Sequence, residues 1–135
     1  MSIVLPPGGI LIGLGCDLIE TDRIHSVLKR HGDRFLKRVF TEEEQAYCSS
    51  LKFPHKHYAA RWAAKEAVAK ALGCGIGEGA AFVEIEVTRD AAGQPAILLH
   101  GSAAATAKAM GVQNLRISLT HTEQYAAAFA VVTTA

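Results

Sequence analysis

Cysteine is scarce in this sequence. It occurs three times in 135 residues, at Cys16, Cys48 and Cys74. An odd number at wide spacing forms neither a CxxC pair nor a disulfide framework, which excludes small stapled secreted folds and suits a reducing cytoplasm. Long apolar runs are absent too, since none approaches the roughly 20 residues a membrane-spanning helix needs. Met1 to Gly9 lacks the basic start and unbroken apolar stretch of a secretory signal. Charge of one sign is missing: the formal net charge is +1, so nothing global attracts nucleic acid or an anionic membrane. There is no HExxH, no cysteine–histidine zinc spacing and no Gly-x-Ser-x-Gly elbow. No repeat or low-complexity tract appears, and no side chain stands out as a covalent nucleophile.

What is present describes an ordinary folded chain. Half the residues are hydrophobic and 20% are charged, which excludes disorder and favours a single domain over residues 1–135 with a core of its own. Met1 to Gly9 is a short N-terminal extension to which no role is assigned. Ile10 to Glu20 begins as a strand, with Ile10, Ile12, Leu14 and Cys16 on its large face and Leu11, Gly13 and Gly15 on its small one. Glycine there permits close approach of another backbone or of a ligand. Thr21 or Asp22 caps a helix expected to stop near His31 at Gly32. Thr41 and Glu44 make a capping box for a helix ending near Leu51. Lys52 to His57 reads as a linker around Pro54, and His55 and His57 as surface histidines.

Tyr58 to Leu72 is the longest uninterrupted helical stretch, with Gly73 as its cap. At about 100° per residue its small apolar side chains cover nearly the whole circumference, the pattern of a buried helix. It nonetheless carries Arg61, Lys65, Glu66 and Lys70. Glu66 and Lys70 share one face and Arg61 and Lys65 another. A solvated stripe with an ordinary intrahelical ion pair is the simple explanation; buried charges would each need a partner, a metal or a ligand.

Beyond the helix, Gly73-Cys-Gly-Ile-Gly-Glu-Gly79 has glycine at every second position. It is either a flexible link or a close approach to a phosphate-bearing ligand. It is not a P-loop, lacking Gly-Lys-Ser/Thr, nor a Rossmann turn, since it follows a helix. Phe82 to Asp90 alternates as a half-buried strand, with Val83, Ile85 and Val87 inward and Glu84, Glu86 and Thr88 outward. Ala92-Gly-Gln-Pro95 turns the chain into a partner strand, Ala96 to His100. Ser102 caps an alanine-rich helix that stops at Gly111. Strands follow over Leu115 to Thr120 and Tyr125 to Thr133. The alanines Ala126 to Ala128 suggest packing against a helix or another subunit. This order gives an α+β fold, a mainly antiparallel sheet packed on one long buried helix.

Asp17, at or near the end of the first strand, is either a turn residue or a metal carboxylate held still by the strand. With Glu66 it could hold one hard divalent cation, and Mg²⁺ suits two carboxylates best because it also takes phosphate oxygens. Lys70, one helical turn away, could neutralise phosphate charge beyond the metal's reach, and that assembly fits chemistry at phosphorus. The basic run from Arg23 to Arg38, with Lys29, Arg30 and Arg34, is a solvated face or a landing site for an acidic partner.

Three stretches, Gly13-Leu-Gly-Cys-Asp17-Leu-Ile-Glu, Arg61-Trp-Ala-Ala-Lys-Glu-Ala-Val-Ala-Lys-Ala-Leu-Gly73 and Ile117-Ser-Leu-Thr-His121-Thr, resemble in residues and order the holo-acyl-carrier-protein synthases, the small bacterial-type 4′-phosphopantetheinyl transferases. The likeness runs from about Gly13 to Val132. It implies the fold of that family and transfer of the 4′-phosphopantetheine arm of coenzyme A to a serine of apo-acyl carrier protein, within fatty acid and lipid biosynthesis in the cytoplasm. Adenosine 3′,5′-bisphosphate would be released. It further implies Asp17 and Glu66 as Mg²⁺ ligands, Lys70 on the pyrophosphate, and Arg61, Gly73, Gly75, Ser118 and His121 in the coenzyme A pocket. Arg23, Arg34 and their basic neighbours would receive the carrier protein, and a homotrimer would build active sites between subunits. Two acceptors fit the serine proton, Glu66 and a metal-bound water. The chain departs from the family pattern at Cys74, commonly threonine, and at Ala92, often asparagine. Two other readings remain at this stage: a different Mg²⁺-dependent enzyme cleaving a phosphoanhydride, and a non-catalytic module binding coenzyme A or a carrier protein.

Overall fold

A computed structural model describes residues 10–134, so the extension Met1 to Gly9 lies outside the described residues. The chain runs β1 (Leu11–Glu20), α1 (Thr21–Val39), α2 (Glu42–Ser49), α3 (Pro54–Ala71), a 3₁₀ turn (Phe82–Glu84), β2 (Ile85–Arg89), β3 (Pro95–Leu99), α4 (Gly101–Met110), β4 (Asn114–His121) and β5 (Tyr125–Thr133). The strands form a sheet in the order β1-β5-β4, antiparallel throughout, and a separate antiparallel hairpin β2-β3. The α+β class is as expected.

Helix α3 lies on the inner face of the three-stranded sheet. Ala126, Ala128 and Ala130 of β5 are fully buried there, as are Ala63, Ala64, Ala67 and Val68 of the helix. The alanine run therefore meets a helix of its own chain. Small side chains let helix and strand backbones come close, and at β1 the approach closes completely. A Cβ placed on Gly15 would sit 1.9 Å from the Ala67 carbonyl oxygen, and one on Gly13 2.0 Å from that of Ala71. The glycines of the first strand thus admit a helix backbone, not a ligand. Gly15→Ala is expected to lower stability by about 1–3 kcal/mol, because rigid backbone cannot step aside. A chemical-denaturation midpoint equal to that of the unsubstituted chain would disprove this packing.

The helix ends depart from expectation where tertiary contacts intervene. Gly32 does not stop α1; it kinks it, at φ 45° and ψ −121°, and the helix resumes to Val39. Leu28 on one side, and Phe35 and Leu36 on the other, pack on the same core, which keeps both segments docked. Helix α3 starts earlier than the Tyr58 expected, at Pro54 behind a left-handed Phe53, so His55 and His57 are helical and not linker residues. Proline suits the first turn because its missing N–H has no partner there anyway. Phe82 to Glu84 turns out 3₁₀, not strand. Glu84 bonds to both the backbone N–H and the hydroxyl of Ser102, so Ser102 sits inside α4 and does not cap it. Glu86 points inward, 8% exposed, held by Thr41 and His100.

The other face of the sheet is bare, and along β1 and β5 it is apolar. Leu14 and Leu18 of β1 are 62% and 65% exposed, and Phe129 of β5 is 53% exposed beside the exposed Cys16. Such a patch on a small chain marks a contact surface.

Candidate active site

Asp17 enters from the inner face of β1, opposite Ala128 of β5. Glu66 and Lys70 come from one face of α3, as their spacing predicts. The structure brings the three together. Lys70 Nζ donates to the Cys16 carbonyl at 2.9 Å and to Asp17 Oδ1 at 3.3 Å. Its side chain is half exposed, so it reaches solvent as well as the carboxylate. Glu66 is half-buried. Burial and, after it, the charge of Asp17 raise its carboxyl above the usual range, while Lys70 acts against them. Two carboxylates close enough that the charge of one raises the Glu66 carboxyl, with only oxygen donors, suit a hard divalent cation and not a soft one.

The other two charges of the helix have a different use. Lys65 is fully buried, and its three protons go to Glu44 at 2.8 Å and to the carbonyls of Phe82 and Ile85 at 2.9 and 2.6 Å. Glu44 in turn accepts from the backbone N–H of Thr41, closing the expected capping box, and of Val87. This network locks α2, α3 and β2 together, so Lys65 is structural.

Arg61 is 5% exposed and its guanidinium lies 4.5 Å from the Tyr47 ring centre. His57 sits one turn before it on the same helix, and its ring lies 6.5 Å from that of His121 at the end of β4. Burial, then the charges of Arg61, His121 and Arg89, lower the His57 pKa below its ordinary value. Arg61 and His121, both placed in the pocket by resemblance, therefore share a basic corner. His57 and Arg89 belong to it as well, and sequence reasoning missed them. An i, i+4 pairing of His57 with Arg61 was available once the helix was known to start at Pro54.

Gly73 and Gly75 follow α3 directly beyond Lys70. Their N–H groups are already bonded to the carbonyls of Lys70 and Ala69. Both hold φ values of 77° and 65°, and a Cβ on either would meet only open space. What they offer a ligand is clearance, not donors. Ser118 lies exposed on the outer face of β4 opposite Phe129, away from the carboxylates of its own chain. Arg23 and Arg34 are both exposed along α1. Arg23 borders a groove with Arg30, and Arg34 a second one with His31 and Arg38.

The sequence pattern of the 4′-phosphopantetheinyl transferase superfamily matches residues 13–130. The chain belongs to this family. A holo-acyl-carrier-protein synthase of Ruminiclostridium cellulolyticum is 46% identical over 120 residues, covering 88% of this chain and 90% of that protein. The crystal structure of holo-acyl-carrier-protein synthase from Neisseria meningitidis superposes with a TM-score of 0.85 at 31% identity, covering 91% of this chain and 98% of the other. The Helicobacter pylori enzyme in complex with coenzyme A gives 0.79 at 29% identity, covering 88% and 98%. The matched span takes in all three of the chain's motifs, from Gly13 through His121.

Proposed function

We propose that this chain transfers 4′-phosphopantetheine from coenzyme A to a serine of apo-acyl carrier protein. A serine Oγ–phosphorus bond forms, the phosphoanhydride bond breaks, and adenosine 3′,5′-bisphosphate leaves. The observation that carries this reading is the convergence of Asp17, Glu66 and Lys70 at a half-exposed spot beside the glycine clearance of Gly73 and Gly75. Asp17 and Glu66 fit Mg²⁺, which when bound would offset negative charge on the pyrophosphate. Lys70, already on Asp17, has the reach to hold a pyrophosphate oxygen as charge builds on the leaving group. The free thiols, two of them exposed, agree with a cytoplasmic protein.

The test is mass spectrometry of an apo-acyl carrier protein after incubation with the chain, coenzyme A and Mg²⁺. A gain of one phosphopantetheine that a chelator abolishes is expected; no gain under any metal condition would defeat the reading.

Arg23 and Arg34 form the carrier-protein docking face in this proposal, since an acidic partner needs complementary exposed charge. Reversing both to glutamate is expected to raise KM for the carrier protein about tenfold with little change in kcat, and to flatten its salt dependence. Kinetics that do not change would place docking elsewhere.

The homotrimer belongs here as well. The bare apolar sheet face and the separation of Ser118 from Asp17 within one chain both favour subunits meeting at that face. Phe129→Lys is expected to yield monomers in sedimentation and to lose most activity together. A fully active monomer would refute shared sites.

A further inference from the structure

Thr21 opens α1, yet its hydroxyl does not cap that helix. The residue at the cap position is Glu20, and no side chain bonds to the N–H groups of the first turn from there. A threonine at a helix start ordinarily serves its own backbone. Thr21 is 1% exposed, and both of its donors leave the helix. Its N–H donates to the Gln124 carbonyl and its hydroxyl to the Glu123 carbonyl, each at 2.9 Å. Both acceptors lie in the tip that joins β4 to β5, directly after His121.

The tip is exposed from His121 to Tyr125. Its own bonds fix its shape: the Thr122 N–H donates to the Tyr125 carbonyl, and the Gln124 and Tyr125 N–H groups donate to the Thr122 hydroxyl. They do not fix where it stands against the helices. Two outside ties do. Lys56, in the first turn of α3, holds Glu123 at 2.8 Å, but that glutamate is 87% exposed, and ion pairs so open to water contribute little. The bonds of Thr21 are sheltered, so this is the firmer tie. Its N–H bond continues the β1–β5 ladder one step past the pairing of Glu20 with Tyr125. The hydroxyl bond is additional to the ladder, and a valine of similar size would remove it alone. The heads of α1 and α3 are themselves joined, since the His25 and His55 rings stack with centres 4.2 Å apart. By holding the tip to α1, Thr21 therefore also sets its place against α3. There His57 follows Lys56, and its ring faces that of His121 at 6.5 Å.

We propose that Thr21 is a positioning residue, whose hydroxyl clasps the β4–β5 tip to the head of α1 and thereby fixes His121 opposite His57. Its consequence for turnover rests on the transferase reading above, with His121 at the coenzyme A pocket.

The experiment is a double-substitution cycle on coenzyme A kinetics with Thr21→Val and His121→Ala. Thr21→Val raises KM for coenzyme A about fivefold with kcat within twofold, and Thr21→Ser restores it. In the His121→Ala background Thr21→Val adds nothing, because a residue acting through His121 has no effect once that ring is gone. Full additivity, or an unchanged KM in the single variant, overturns the proposal. Thr21→Ala gives the same result if valine disturbs folding. An NMR titration of the His57 ring in the free protein supplies a readout independent of activity. The charge of His121 helps to lower the His57 pKa, so His121→Ala moves it upward and Thr21→Val moves it part of the way. If that shift appears while the unsubstituted chain transfers nothing, the clasp stands and the transferase reading falls. If His57 responds to His121→Ala but not to Thr21→Val, the clasp falls.

Discussion

Glu66→Gln is expected to reduce kcat by about three orders of magnitude, roughly 4 kcal/mol of transition-state stabilisation. The substitution keeps the side chain's size and removes its charge. In the free protein that charge is unfavourable: burial and Asp17 both raise the carboxyl. Folding stability should therefore stay level or rise by a few tenths of a kcal/mol, as one of two neighbouring negative charges is deleted. A loss of rate together with unchanged or higher stability is the signature of a group kept for function. Added Mg²⁺ should restore only part of the rate, since one of the two carboxylates is gone. Turnover within about threefold of the unsubstituted chain would rule out Glu66 as a metal ligand.

Lys65→Met tests the other kind of charge on the same helix, and here the effect falls on stability. The ammonium is fully buried, and it satisfies Glu44 and two backbone carbonyls at once. Burial lowers its pKa while Glu44 acts against that, so the pair holds its charges only by mutual contact. Removing the lysine leaves a buried carboxylate unpaired and the carbonyls of Phe82 and Ile85 without this donor. The expected cost is about 3–5 kcal/mol, read from urea denaturation. Adding Glu44→Gln should recover part of it, because the amide oxygen can still accept from Thr41 or Val87 without a net charge. A cost below about 1 kcal/mol would mean that water or another acid replaces the lysine. Turnover per folded molecule should be nearly unaffected, in contrast to Glu66→Gln.

These neighbours, Lys65 and Glu66, differ by one residue in sequence and by everything in environment. Helical periodicity placed Arg61 with Lys65 and Glu66 with Lys70. It did not say which line was a structural network and which was a site. That depended on what α2 and β2 presented to one side of the helix and β1 to the other.

The sequence alone determined whatever depends on a few adjacent residues. The Thr41–Glu44 capping box, the face shared by Glu66 and Lys70, the hairpin turn around Gly93 and the buried character of the long helix all follow from spacing within about one turn or one strand. The motifs around Asp17, Glu66 and His121 identified the family for the same reason: they are strings. Tertiary structure decided the rest. Lys70 reaches Asp17 across 53 positions and Lys65 reaches Glu44 across 21. The start of α3 at Pro54, and with it the place of His57, depended on Phe53 adopting a left-handed turn. Gly32 bent a helix that its own propensity would have ended, because Leu28, Phe35 and Leu36 dock on the same core. Short-range signals record what a backbone prefers locally. Which side chains meet is set by the packing of whole faces, where burying apolar area outweighs the few tenths of a kcal/mol that separate local alternatives.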